Sequence, residues 1–125
     1  MNEAKKILFI EDESALQKTI GEVLNQEGYV VISALDGETG LKLAKVKKPD
    51  LILLDLVLPK VRGFDVLKQL KEDQETSKIP VIVLTNLEGI DNVDKAIELG
   101  ATTYLVKTQY SLEEIIEKIN KALEI

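Results

Sequence analysis

A chain of 125 residues, 45% apolar and 30% charged, is long enough for one domain with its own core and needs no staple to fold. Sixteen basic against 22 acidic residues leave a formal charge of −6, which argues against a direct grip on nucleic acid or on an anionic membrane. The absence of Cys and His excludes disulfides, thiolates and imidazole, so any metal site has to be built from oxygens and suits Mg²⁺, Mn²⁺ or Ca²⁺.

Lys5-Lys6 is followed by only Ile7-Leu8-Phe9-Ile10 before the acids Glu11-Asp12-Glu13. That run is too short for a secretory signal and reads as a buried strand ending in carboxylates. Ser14 is the expected N-cap of a helix carrying Leu16, Ile20, Val23 and Leu24 on one face, stopped by Gly28. A β-rich segment, Tyr29 to Ala34, leads through Asp36-Gly37 to a helix expected from Thr39 to Val46, with Leu41, Leu43 and Ala44 inward.

Leu51-Ile52-Leu53-Leu54 is a further continuous apolar run, led in by Pro49-Asp50 and closed by Asp55. A continuous apolar run of this length suits the central strand of a parallel sheet, where helices cover both faces. Pro59 to Gly63 reads as a loop, and Phe64 to Lys71 as a helix with Phe64, Leu67 and Leu70 on one face. After a polar connector, Val81-Ile82-Val83-Leu84 is a fourth strand ending at Thr85-Asn86, and Asp91 to Leu99 a helix striped by Val93, Ala96, Ile97 and Leu99. Thr103 to Val106 is a fifth strand running into Lys107, and Ser111 with Glu114 forms a capping box for a last helix striped by Ile115, Ile116, Ile119, Ala122 and Leu123.

Five βα units predict a doubly wound α/β fold with a five-stranded parallel sheet and right-handed crossovers, as a single domain over residues 1–125. No stretch is long enough to span a bilayer, and a cytoplasmic protein is expected. In a parallel sheet the carboxyl ends of the strands share one edge, where open α/β sheets bind ligands. Glu11-Asp12, Asp55, Thr85 and Lys107 all stand at such ends. Taken alone, Asp55 is as readily a loop cap as a site residue, whereas Glu13 reads as a solvated acid favoured by a helix dipole. Three carboxylates gathered at one edge repel one another unless a divalent cation sits among them. Around a Mg²⁺ ion, Asp55 can attack phosphorus while Lys107 neutralises the phosphoryl oxygens and the Thr85 hydroxyl bonds one of them.

The acidic pair Glu11-Asp12, Asp55 followed by Pro59 and Gly63, Thr85 after the fourth strand, and Tyr104 with Lys107 on the fifth resemble the motif set of response-regulator receiver domains of two-component systems, stand-alone chemotaxis-type regulators included. The resemblance covers essentially the whole chain. It implies a flavodoxin-like fold with strand order 2-1-3-4-5, and an Asp55 phosphorylated from the phosphohistidine of a sensor histidine kinase or phosphotransfer protein. It implies Mg²⁺ held by Glu11, Asp12, Asp55 and Val57, catalytic support from Lys107 and Thr85, and a switch pair of Thr85 and Tyr104 relaying to a face made by the fourth helix, fifth strand and last helix. The expected partners are that phosphodonor and a downstream protein or an output domain, with no nucleic acid or membrane contact by this chain. A monomer or a phosphorylation-dependent dimer is expected, catalysing its own phosphorylation and dephosphorylation but turning over no external substrate.

Three residues depart from the usual receiver pattern: Thr108 after Lys107 in place of proline, Asn86 in place of a small residue, and Glu11 in place of aspartate. The Lys107-Thr108 peptide is expected to be trans. Val57 and Leu87, two residues beyond Asp55 and Thr85, are expected to flank and shelter the path of a hydrolytic water, with Asn86 pointing away. Two enzyme or cofactor readings fit less well. Haloacid-dehalogenase-type phosphatases need an acid where Val57 stands, and flavin binding needs a phosphate loop after the first strand rather than three acids.

Overall fold

A computed structural model describes residues 3–124. Five parallel strands, β1 (Lys6–Ile10), β2 (Val30–Ala34), β3 (Leu51–Leu54), β4 (Val81–Thr85) and β5 (Thr103–Val106), form one sheet in the order β2-β1-β3-β4-β5. The helices between and after them are α1 (Ser14–Gln26), α2 (Gly37–Lys47), α3 (Gly63–Glu72), α4 (Ile90–Glu98) and α5 (Leu112–Leu123), with a 3₁₀ turn at Lys107–Gln109. This is the doubly wound fold expected from the five βα units, with the strand order that the resemblance implies.

Strand alternation splits the core into two layers. Leu8, Ile10, Ile52, Leu54, Val81 and Val83 face Ala44 of α2, Val66, Leu67 and Leu70 of α3 and Ala96 of α4. Ile7, Phe9, Leu51, Leu53, Ile82 and Leu84 face Ile20 and Leu24 of α1 and Ile115, Ile116 and Ile119 of α5. Every residue of β3 is fully buried, which is why its sequence is continuously apolar rather than alternating. Burying each such side chain contributes about 1.5–3 kcal/mol.

The register aligns the carboxyl ends: Ile10 stands opposite both Ala34 and Leu54, Leu54 opposite Val83, and Thr85 opposite Val106. Residues just past these positions therefore emerge at one edge. Several local expectations shift. Glu13, not Ser14, occupies the N-cap of α1; its side chain makes no cap hydrogen bond, and its N–H donates to the Glu11 carboxylate at 3.0 Å. Helix α2 starts at Gly37, two residues before the expected Thr39, because Asp36 caps it by accepting from Thr39 N–H at 2.8 Å. On α4 only Ala96 is buried; Ile97 faces solvent instead of the core, as does Ile90, which opens the helix one residue before the expected start. The inward face of α1 includes Gln17, a polar residue at a core position that apolar periodicity passes over. No helix among the described residues is long and apolar enough to cross a membrane.

Candidate functional site

At the carboxyl edge a cleft of about 220 Å³ is lined by Glu11, Asp12, Glu13, Asp55, Val57, Asn86 and Lys107. Asp55 follows β3 directly, held there by its own N–H donating to Ile10 carbonyl at 3.0 Å. Its side chain is buried, with Oδ1 accepting from Val57 N–H at 3.2 Å and Oδ2 accepting from the Lys107 ammonium at 3.1 Å. Gly63 opens α3 against this segment: a Cβ there would lie 2.2 Å from Leu56 Cα and 2.6 Å from the Asp55 carbonyl oxygen. Only glycine lets the helix start so close to Asp55.

Glu11 is equally buried. Its Oε2 accepts from Glu13 N–H, and Oε1 lies 2.6 Å from Lys107 Nζ in an ion pair without the alignment of a directed hydrogen bond. Lys107, delivered by β5 and the 3₁₀ turn, thus bridges two buried carboxylates, while Asp12 stands exposed beside them. Glu11, Asp12 and Asp55 each place a carboxylate oxygen within 4.8 Å of the others.

Burial pushes the Glu11 carboxyl above its ordinary pKa; Lys107 and the Glu13 N–H oppose that shift and the Asp55 charge adds to it. Burial acts against the Lys107 ammonium, but Glu11 and Asp55 together outweigh it and hold its pKa above the usual lysine range. Three carboxylates against one ammonium leave two negative charges to be compensated when all are ionised. The donor set is all oxygen, as a hard divalent cation requires. Val57 contributes no ligating side-chain atom, so its main-chain carbonyl is the only group it has to offer a metal.

Thr85 is fully buried at the end of β4 and does not line the cleft. Its Oγ1 accepts from Leu87 N–H at 3.4 Å, while Tyr104 donates its hydroxyl to Leu87 carbonyl at 2.8 Å. Both expected switch residues therefore hold the same residue. Burial, followed by the Asp55 charge, keeps the Tyr104 hydroxyl above its ordinary pKa. Leu87 packs against the core instead of flanking the cleft, and Asn86 lines the cleft instead of pointing away. Strand alternation ends at Thr85, so it does not govern the direction of the residue after it. Val57 lies at the mouth as expected, 56% exposed. No peptide bond among the described residues is cis, so Lys107-Thr108 is trans.

Sequence reasoning missed Gln17, whose side-chain amide donates to the carbonyls of Phe9, Glu11 and Ala34 at 2.8, 3.1 and 3.0 Å. A polar residue at a helix position flanked by Ile20 and Leu24 was the available signal. Larger hollows lie between α2 and α3 and between α1 and α5, of about 320 and 460 Å³. Neither holds a buried carboxylate.

Comparison with known proteins decides the family: the response regulator receiver domain model matches residues 7–120. The chain belongs to the response-regulator receiver-domain family. The curated relatives of this receiver include the DNA-binding dual master transcriptional regulator RpaA of Synechocystis, 40% identical over 94% of the chain and 48% of that protein. Sporulation initiation phosphotransferase F of Bacillus subtilis is 34% identical over 100% of the chain and 97% of its own length. The chain spans about half the length of most of the curated relatives it matches. Among solved structures, chemotaxis protein CheY4 of Vibrio cholerae superposes with a TM-score of 0.89 at 25% identity, covering 97% of this chain and 100% of that one. The Mn²⁺-bound form of response regulator Rcp1 gives 0.77 at 32% identity, covering 94% and 90%.

Proposed function

We propose that the receiver is a phosphoacceptor switch in which Asp55 takes a phosphoryl group from a phosphohistidine on a sensor histidine kinase or phosphotransfer protein. An Asp55 oxygen forms the new bond to phosphorus as the phosphorus–nitrogen bond of the donor breaks, and the leaving imidazole takes a proton from water. The observation that carries this reading is Lys107, whose ammonium reaches both Asp55 and Glu11 in a cleft with excess negative charge. That ammonium stays close enough to Asp55 to neutralise oxygens of a phosphoryl group attached there.

Glu11, Asp12, Asp55 and the Val57 carbonyl would hold Mg²⁺. Bound there, Mg²⁺ supplies charge compensation for the phosphoryl oxygens. The metal reading is supported by the clustered carboxylates and by the Mn²⁺ in the Rcp1 structure. Thr85 and Tyr104 would relay the change through Leu87 to the α4–β5–α5 face, where a downstream protein or output domain reads it, by binding a monomer or through a phosphorylation-dependent dimer. The transcriptional regulators among the relatives favour an output of that kind. The chain would work in the cytoplasm as a single domain that catalyses its own phosphorylation and dephosphorylation without turning over an external substrate.

The test is incubation with a small-molecule phosphodonor and Mg²⁺, read by intact mass. Wild type should gain one phosphoryl group with Mg²⁺ present and none when Mg²⁺ is chelated before the donor is added. Equal labelling of Asp55→Asn would refute the assignment.

A further inference from the structure

Gln17 sits on the inward face of α1, 7% exposed, beside Ile20 and Leu24 where the helix otherwise presents apolar groups. Its Nε2 lies 2.8 Å from Phe9 O, 3.1 Å from Glu11 O and 3.0 Å from Ala34 O, three carbonyls from the ends of β1 and β2 and the loop after β1. Three acceptors fix the amide orientation, since a flipped amide would aim its oxygen at all of them. The Oε1 is then left buried without a hydrogen-bond partner. A buried acceptor left bare is unfavourable, so Gln17 fits this place only because its donor side does something an apolar residue cannot.

What it does follows from which carbonyl it holds. The Glu11 carbonyl belongs to the peptide group joining Glu11 to Asp12, and the orientation of that plane sets the directions in which both side chains leave the backbone. No other side chain among the hydrogen bonds of the described residues reaches this carbonyl. Ala34 O also accepts from Glu11 N–H at 2.9 Å, so the amide reaches Glu11 directly through its following peptide and, through Ala34 O, shares an acceptor with its preceding one.

We infer that Gln17 is a positioning residue that holds the Glu11–Asp12 peptide from the α1 side and so sets the Mg²⁺ affinity of the cleft. The inference rests on the reading of Glu11, Asp12 and Asp55 as a Mg²⁺ site. Outer partners of metal ligands, when removed, typically weaken binding by roughly tenfold to a hundredfold. Gln17→Met keeps the approximate length of the side chain and removes its donors together with the unpartnered Oε1.

Titration calorimetry with MgCl₂ on the full chain, paired with thermal melts without metal, separates positioning from packing. Gln17→Met should raise the Mg²⁺ dissociation constant roughly tenfold or more. Gln17→His at about pH 8, where the neutral ring keeps one N–H donor, should recover part of that loss. If Gln17→Met does not fold, Gln17→His against wild type carries the test, with weaker Mg²⁺ binding expected. A lower melting temperature with unchanged Mg²⁺ affinity, beside a wild type that binds, would mark Gln17 as packing alone and overturn the inference. Wild type that binds no Mg²⁺ would overturn the site reading itself, and the inference with it.

Discussion

Substituting Gly63 by alanine tests whether the start of α3 is what fixes Asp55. The added methyl would sit 2.2 Å from Leu56 Cα, 2.6 Å from Asp55 O and 2.8 Å from Leu56 C, all main-chain atoms with no rotamer to escape into. Reaching an ordinary carbon–carbon distance of about 3.5 Å requires the helix to retreat by about 1.3 Å. That retreat stretches the Gly63 N–H bond to Leu56 carbonyl, now 3.0 Å. Overpacking costs about 1–3 kcal/mol, and rigid backbone neighbours place this case near 3 kcal/mol, or roughly a 10 °C fall in melting temperature. Asp55 should also lose phosphorylation rate, because its main chain moves with Leu56. Urea denaturation and phosphodonor labelling read the two effects. Gly28→Ala is the control: φ is +97° but nothing lies within 4 Å, so backbone strain of about 1–2 kcal/mol should appear with labelling intact. A Gly63→Ala protein as stable as Gly28→Ala and phosphorylated at the wild-type rate would refute the reasoning.

Lys107→Met should destabilise the protein by about 3 kcal/mol in urea melts without metal, since it leaves two buried carboxylates without their cation, and by clearly less with Mg²⁺ present. A Mg²⁺ concentration of a hundred times the dissociation constant should raise wild-type stability by about 2.7 kcal/mol, and Asp12→Ala should abolish most of that rise in a thermal melt. Asp36, whose carboxylate is held below its ordinary pKa first by the Thr39 N–H, contributes stability that is present above the unfolded value of 3.8 and is lost as pH falls through its lower folded pKa. Asp36→Ala should therefore cost about 1 kcal/mol at neutral pH and progressively less below pH 3.8, measured as the difference between paired urea melts.

The fold was legible because the apolar runs are long and uninterrupted, and because Gly28 and the Ser111–Glu114 box mark helix ends with recognised chemistry. Asp55, Glu11, Asp12 and Lys107 were legible as a cluster because parallel topology forces strand ends together. What stayed hidden lies where periodicity stops. Gln17 stood outside the apolar stripe read for α1, because a polar side chain bonded to backbone carbonyls adds nothing to apolar periodicity. Ile97 read as core because helical spacing gives a face without saying how wide the covered stripe is, and on α4 that stripe is little wider than Ala96. Asn86 was misplaced by extending the alternation of β4 one residue past its end.

The same loop shows how a local event at Asp55 can reach a distant face in the proposed switch. Leu87 is held from both sides, through its N–H by Thr85 and through its carbonyl by Tyr104. The two bonds differ in strength: 3.4 Å is near the limit of a hydrogen bond, whereas 2.8 Å is a good one. A threonine hydroxyl has one donor and two acceptor positions, so Thr85 can give its proton to a phosphoryl oxygen while still accepting from Leu87 N–H, or release that weak bond at small cost. The firm Tyr104 bond then decides whether Leu87 follows. Gln109 in the 3₁₀ turn after Lys107 reaches Glu88 at 3.3 Å, so the lysine side of the cleft grips the same loop. Gly89 N-caps α4 at a φ of +109°, and α4 presents Ile90 and Ile97 to solvent on one face. In the proposed switch, a shift of Leu87 would be passed within three residues to the first turn of that helix and would alter the presentation of apolar side chains that are already exposed.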